Sequence, residues 1–250
     1  MRNPGKTPFD IRDRVGPLFA PRSAAIVGGS TSARKAGNII IDNLQTFGFA
    51  GHIYPISRSG GMVQGLPAYP RLADCPQPVD ICVLAVPYHQ INAIMREAAD
   101  AGIRHVIIVS GGFSDAGEQG RQLERELVSF CRDNRIHLMG PNSIGIVDTA
   151  SGFCTSIGTL PAMPKTGISI FGQSGTFATG FALAEITARN RGFAKIACMG
   201  NKADINECDF LEFLAQDPET RSIGMYLESA TDGERFFQAA YAAASKKPVV

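Results

Sequence analysis

Short apolar runs alternate with stretches of helical period along most of this 250-residue chain. Ala24-Ala25-Ile26-Val27 reads as a first strand running into Gly28-Gly29-Ser30. Ile40, Leu44 and Phe47 then recur at three- and four-residue spacing up to Gly48, the mark of an amphipathic helix. His52-Ile53-Tyr54-Pro55-Ile56 predicts a second strand, followed by a glycine-rich loop at 57–65. Residues 80–86 are almost wholly apolar, as a strand covered on both faces of a parallel sheet must be. A helix over 90–101, a strand over 106–109, a charged amphipathic helix over 120–134 and a strand over 136–139 complete the first series. Strand and helix alternating at this spacing predict an α/β fold with a Rossmann-type, doubly wound parallel sheet.

The rhythm stops at 148–166, where Ser, Thr, Gly, Pro and Met follow no period. It restarts with a strand at 167–171, a helix to about Arg191, a strand at 195–199, a helix at 207–215, a strand at 222–227 and a helix at 233–244. Pro248-Val249-Val250 reads as the opening of a further strand. The expected organisation is therefore a first domain over 1–148, a linker over 149–166 and a second α/β domain over 167–250, truncated at its C-terminus. The segment before Pro21 mixes charge, proline and single apolar residues, and suggests no element of its own.

Composition narrows the partners. With 44% hydrophobic residues the chain can bury a full core, and a net charge of +1 leaves no basic field to gather nucleic acid or anionic lipid. Any anionic ligand must be held by local geometry. No apolar run approaches the ~20 residues of a membrane span. Cys75, Cys82, Cys131, Cys154, Cys198 and Cys208 include no C-x-x-C pair, which argues against zinc or a redox dithiol. A soluble, cytoplasmic protein with reduced thiols is expected.

In an open parallel sheet, ligands lie at the carboxyl ends of the strands. After the first strand come Gly28, Gly29 and Ser30, then Arg34, Lys35 and Gly37 before the helix. An ordinary βα turn would suit the same glycines, but the position favours a phosphate held at a helix N-terminus. G-x-G-x-x-G spacing is absent, and Ser57 and Arg58 stand where an NAD site needs an acid. A cation there suits a phosphorylated ribose, whether of NADP or of coenzyme A. The later strand ends (Val86-Pro87, Ser110-Gly111-Gly112, Gly140-Pro141-Asn142) could line a groove for a long ligand, and none carries acid/base equipment for hydride transfer.

In the second series, Gly172-Gln173-Ser174-Gly175-Thr176 joins a strand to a helix and could hold an anion, although a capping serine in a tight turn explains it equally well. Glu228 closes an apolar strand and is either solvated or aimed into a site. Asp204, in Gly200-Asn201-Lys202-Ala203-Asp204, could cap the next helix. His52, His105 and His137 open strands at the opposite edge and read as solvated; only His89 lies on the ligand side.

These motifs together are recognisable. Residues 23–30 and 52–56, Val109-Ser110-Gly111-Gly112-Phe113, residues 140–145, Gln173-Ser174-Gly175, residues 200–204 and Lys247-Pro248-Val249-Val250 occur in the order found in one family. The chain resembles the CoA-binding and first ligase domains of the NDP-forming acyl-CoA synthetases, relatives of the succinyl-CoA synthetase alpha subunit and ATP-citrate lyase. The resemblance implies a flavodoxin-like second domain. It implies that Gly28, Gly29, Ser30, Lys35, Pro55, Ser57, Arg58, Val86 and Pro87 line a coenzyme A site, with Ser110, Gly111, Asn142 and Ser143 toward the thiol and acyl end. Ser174, Gly175 and Thr176 would receive a phosphate, and Glu228 would orient a phosphorylated histidine. Such enzymes pass phosphate from ATP or GTP, with Mg2+, through that histidine to a carboxylic acid, and coenzyme A then forms the thioester.

Two departures accompany the resemblance. Ser143 replaces the family's usual cysteine, and none of the four histidines occupies the phosphocarrier position. The histidine and the ATP-grasp domain would belong to further sequence or to a partner subunit in a homo- or hetero-oligomer. The chain is expected to bind coenzyme A without completing the reaction alone. A non-catalytic CoA or acyl-CoA sensor and an NADP-dependent reductase are the alternatives.

Overall fold

The computed structural model describes residues 10–250. Helix α1 (Ile11–Phe19) precedes strand β1 (Ser23–Val27), helix α2 (Ala36–Thr46) and strand β2 (His52–Ile56). A two-residue hairpin, β3 (Met62–Val63) and β4 (Leu66–Pro67), leads to β5 (Ile81–Leu84). Then come α3 (Ile91–Asp100), β6 (His105–Ile108), α4 (Glu118–Asp133) and β7 (His137–Met139). The order β2-β1-β5-β6-β7, parallel throughout, is a doubly wound sheet whose winding reverses beside β1. Strands β1, β5 and β6 are buried at every position, which is why they carry unbroken apolar runs.

The second sheet has the order β12-β10-β11-β8-β9. Its strands are β8 (Gly145–Asp148), β9 (Phe153–Cys154), β10 (Ile168–Gly172), β11 (Lys195–Cys198) and β12 (Ser222–Tyr226). Strands β10, β11 and β12 run parallel, whereas β8 and β9 are antiparallel additions. A π-helical segment, Thr176–Phe181, leads into α5 (Ala182–Arg189); α6 (Glu207–Leu214) and α7 (Gly233–Ala244) follow β11 and β12. Residues 248–250 extend the sheet beside β12: the Ile223 N–H donates to the Pro248 carbonyl at 2.9 Å and the Val250 N–H to the Ile223 carbonyl at 2.9 Å.

Sheet membership departs from the expected division of the chain. Strand β8 lies in the stretch assigned to the first domain and β9 in the expected linker, yet both belong to the second sheet. Both are held by pairing, β8 on β11 and β9 on β8, which no local pattern in the sequence announces.

Helix α1 is a second departure. Asp10 caps it by accepting the Arg12 N–H at 2.9 Å, and Val15, Leu18 and Phe19 form its buried stripe. Pro17 lies within the helix and masks that pattern, but burial of three large side chains outweighs the lost hydrogen bond. The helix ties the two sheets together. Phe19 stacks on Phe213 of α6 with ring centroids 5.5 Å apart, and Arg14 reaches Asp204 at 2.8 Å and Asp209 at 3.4 Å.

Two histidine expectations are corrected by the same helix. His105 is 8% exposed and bonded to the Asp13 carbonyl at 3.0 Å, and His137 lies 3.0 Å from the Arg14 guanidinium. The strand starts are covered by α1, so His105 is buried and His137 half-buried, each against a partner. His52 is exposed, and His89 is exposed beside Tyr88.

Candidate functional site

The reversal of winding beside β1 leaves a crevice where the chain turns away from β1 and β5 in opposite directions. A cleft of about 550 Å³ occupies it, lined by Gly28, Gly29, Ser30, Lys35, Ser57, Arg58 and Val86 among others. Gly28 has a φ of +94°, and a Cβ there would stand 2.3 Å from the Ala85 carbonyl oxygen. Gly37 lets the first turn of α2 press against the same loop: its Cβ would lie 2.2 Å from the Gly28 carbonyl oxygen. Only glycines allow strand, loop and helix N-terminus to close this tightly. Pro55 is buried in β2 beneath Gly29 and Pro87 is exposed at the end of β5, so these two flank the cleft without lining it.

Lys35 and Arg58 are exposed at the cleft and form no ion pair among the described residues. A cation at the N-terminus of α2 and a second in the loop after β2 favour a multiply charged anion. Ile56, Val63, Val86 and Ile94 supply an apolar wall. The residues present therefore fit a ligand with phosphates at one end and an apolar body.

Beyond β5 the edge continues over β6 and β7. The Ser110 hydroxyl donates to the Val86 carbonyl, and the Asn142 N–H donates to the Ser110 carbonyl at 2.9 Å. Neighbouring strands lie ~4.8 Å apart, so the crest from β2 to β7 measures roughly 19 Å. An extended ligand can lie along it. Gly111 sits against Asp115 and Asn142, where an added Cβ would be 2.9 Å from an Asp115 carboxylate oxygen. Asp115 accepts the Gly112 and Phe113 N–H groups at 2.9 and 3.0 Å and the Asn201 amide at 3.1 Å. Burial pushes its carboxyl up, but these donors outweigh it and hold the group below the usual carboxylate range.

Ser143 departs from its expected place at the acyl end. It is fully buried, its hydroxyl donating to the Cys198 carbonyl at 2.6 Å and accepting the Gly145 N–H at 2.9 Å. The residue is a joint between the sheets, with no surface left for a ligand.

The carboxyl edges of the two sheets meet at this joint. Asn201 N–H donates to the Pro141 carbonyl at 2.9 Å and Ala203 N–H to the Gly140 carbonyl at 3.0 Å. On the second sheet, Ser174 accepts the Phe177 N–H at 3.4 Å, as a helix cap does, while Gly175 packs on Ile144 and Thr176 is exposed. Glu228 is exposed at the end of β12. The Gln173 side-chain carbonyl accepts the Glu228 and Ser229 N–H groups at 2.7 and 3.0 Å, so the two loops are tied directly.

Sequence reasoning did not single out the residues that build these joints. Gln173, Asn201 and Lys202 lay inside quoted motifs, but their long polar side chains gave no sign of facing other loops. Asp204, left open between a cap and a site, accepts the Arg14 guanidinium at 2.8 Å and the Leu138 N–H at 2.9 Å; Asn206 caps α6 instead. Among the described residues no group of His, Cys, Asp and Glu could hold a metal ion, and no helix is long and apolar enough to cross a membrane.

This crevice and its glycine loop place the chain in a known class. Residues 22–149 match the CoA binding domain family, and the chain belongs to it. Residues 165–250 match the succinyl-CoA ligase like flavodoxin domain. The order of the two units is that of the acyl-CoA synthetases noted above.

The chain is 37% identical over 243 residues to an acetate–CoA ligase [ADP-forming] II of Archaeoglobus fulgidus, covering 96% of this chain and 35% of that protein. It is 34% identical over 238 residues to the acetate–CoA ligase [ADP-forming] I subunit alpha of Pyrococcus furiosus, covering 93% and 51%. A solved acetyl-coenzyme A synthetase 1 of Ca. Korarchaeum cryptofilum, in complex with phosphate and ADP, superposes with a TM-score of 0.90 at 29% identity. That match covers 95% of this chain and 51% of the other. The chain thus spans about a third to a half of the relatives it matches.

Proposed function

We propose that the chain is the coenzyme A-binding and phosphate-receiving portion of an ADP-forming acyl-CoA synthetase. One observation carries the reading. The cleft holding Lys35 and Arg58 and the loops holding Ser174 and Glu228 lie on one connected carboxyl edge, joined through Pro141, Asn142 and Asn201.

On this reading Gly28, Gly29, Ser30 and Lys35 receive the pyrophosphate of coenzyme A, and Ser57 and Arg58 its ribose phosphate. Val86 shapes a wall, and Pro55 and Pro87 flank the cleft behind it. Ser110, Gly111 and Asn142 lead the thiol toward the second sheet. Ser174, Gly175 and Thr176 hold a phosphoryl group in the first turn of the helical segment, and Glu228 orients the histidine that carries it. That histidine, the ATP-grasp unit and the Mg2+ that accompanies ATP come from outside residues 1–250, in further sequence or in a partner subunit. The boundary between the two units falls near Ser143, and the reaction is cytoplasmic.

The chemistry proceeds in three transfers. Phosphate moves from ATP to the histidine, then to a carboxylate to give an acyl-phosphate, and the coenzyme A thiol displaces phosphate to give the thioester. A small acid such as acetate is the first substrate to test, as the names of the relatives suggest. Combining this chain with an ATP-grasp segment carrying the histidine, ATP, Mg2+, acetate and coenzyme A tests the reading. Equimolar thioester and ADP are expected; binding of coenzyme A without any thioester from a panel of carboxylic acids would contradict it.

A further inference from the structure

The carboxylate of Glu228 is exposed, but the backbone that carries it is held from three sides. The N–H groups of Glu228 and Ser229 both donate to the side-chain carbonyl of Gln173, at 2.7 and 3.0 Å. The ammonium of Lys202 donates to the Ser229 carbonyl. The Thr231 N–H donates to Glu207 at 2.6 Å. Lys202 and Glu207 pair with each other at 2.8 Å, and the two residues are 7% and 0% exposed.

These three side chains come from different places: the end of β10, the loop after β11 and the first turn of α6. They bind four backbone groups in a stretch of four residues, each of which is otherwise exposed. Water could satisfy such groups in a loop that needed only to be soluble. Burying a lysine–glutamate pair gains less stability than an apolar pair of the same volume, so stability alone is a poor reason for this one. Lys202 also adopts a left-handed φ of +47°, which side chains other than glycine rarely take. Burial pushes the Glu207 carboxyl up, but Lys202 and the Thr231 N–H outweigh it and hold that carboxyl below the ordinary value.

We propose that Gln173, Lys202 and Glu207 are positioning residues that fix the backbone of Glu228 relative to the Ser174-Gly175 loop. Gln173 is the direct link, because the next residue in the chain is the phosphate-loop serine. The inference rests on the reading of Glu228 given above. A carboxylate that orients a histidine must hold its place to well under an ångström, and a displacement of about 1 Å costs one to two orders of magnitude in rate.

Gln173→Met tests it, since methionine keeps the length and removes the acceptor. In the chain alone, the Glu228 and Ser229 amides should be protected from hydrogen exchange, and the variant should release both by about tenfold or more. Assembled with the ATP-grasp segment, the variant should phosphorylate the histidine about tenfold more slowly. Half-saturating ATP and the affinity for coenzyme A should stay within about twofold, a split that general loosening would not give. Unprotected amides in the unaltered chain, or released amides with an unchanged phosphorylation rate, would overturn the proposal. Glu228→Gln separates the two ideas. If it is slow while Gln173→Met is normal, only the positioning fails; if Glu228→Gln is itself normal, the reading of Glu228 fails and takes the positioning with it.

Discussion

Lys195 of β11 stands directly opposite Asp148 of β8, and their charged ends meet at 2.9 Å with both side chains almost sealed from water. Asp217 approaches the same ammonium at 3.0 Å, and the Phe19 ring lies 5.7 Å away. Burial alone would lower the lysine pKa, but the two carboxylates raise it above its ordinary value. The cluster thus depends on all three charges.

Removing one charge should therefore cost far more than removing all of them. Lys195→Met leaves buried Asp148 without a cation and Asp217 with only the half-buried Lys247, and is expected to destabilise the fold by about 3–5 kcal/mol. Adding Asp148→Asn and Asp217→Asn to it should recover most of that loss. Urea midpoints of the three proteins check this.

Acid should loosen the seam between α1 and the first sheet. Burial, then the Arg14 charge, brings the pKa of His137 down to about 4, and burial lowers that of His105 as well. Between pH ~4 and ~6.5 the unfolded chain binds protons that the folded one refuses, so stability rises with pH across that window. The contribution is complete above the unfolded pKa and is lost as pH falls toward 4. The full shift corresponds to about 3 kcal/mol, and partial solvation reduces it to about 2 kcal/mol. His137→Asn keeps an acceptor for Arg14 but does not titrate, and should lose the larger part of this slope. Melting temperatures of the two proteins across that range measure the difference.

At the cleft, Gly28→Ala should abolish binding of coenzyme A. The added carbon would stand 2.3 Å from the Ala85 carbonyl oxygen at a φ of +94°, so the loop must move. Arg58→Ala is the finer test. It should weaken coenzyme A about tenfold and leave 3′-dephospho-coenzyme A unchanged, because only the former carries the phosphate assigned to this cation. Calorimetric titration of both ligands into both proteins checks the pair.

Much of the first sheet was legible in sequence, for a physical reason. Strands covered on both faces must be apolar throughout, so β1 and β6 stood out within a residue of their observed ends and β5 within two. Helix α7 was equally plain, with Asp232 capping it. What escaped depends on contacts between distant segments. Pro17 hid α1, whose stability comes from Phe210 and Phe213 nearly 200 residues later. Strands β8 and β9 exist because β11 offers an edge to pair with.

The candidate site divides in the same way. Gly28, Ser57 and Arg58 follow strand ends, where chain order alone puts them at the crevice. Ser143 follows a strand end too, yet the second sheet folds over it and buries it completely. The roles of Gln173 and Lys202 lie in hydrogen bonds to the loop that carries Glu228, which no local pattern announces.

The central claim is that the crevice beside β1 is a coenzyme A site, and isothermal titration of the chain with coenzyme A and with NADPH tests it most directly. A one-to-one complex with coenzyme A at a dissociation constant of about micromolar order, and NADPH weaker by at least about tenfold, is the predicted result. No heat with either coenzyme A or acetyl-coenzyme A, or tighter binding of NADPH, would contradict it.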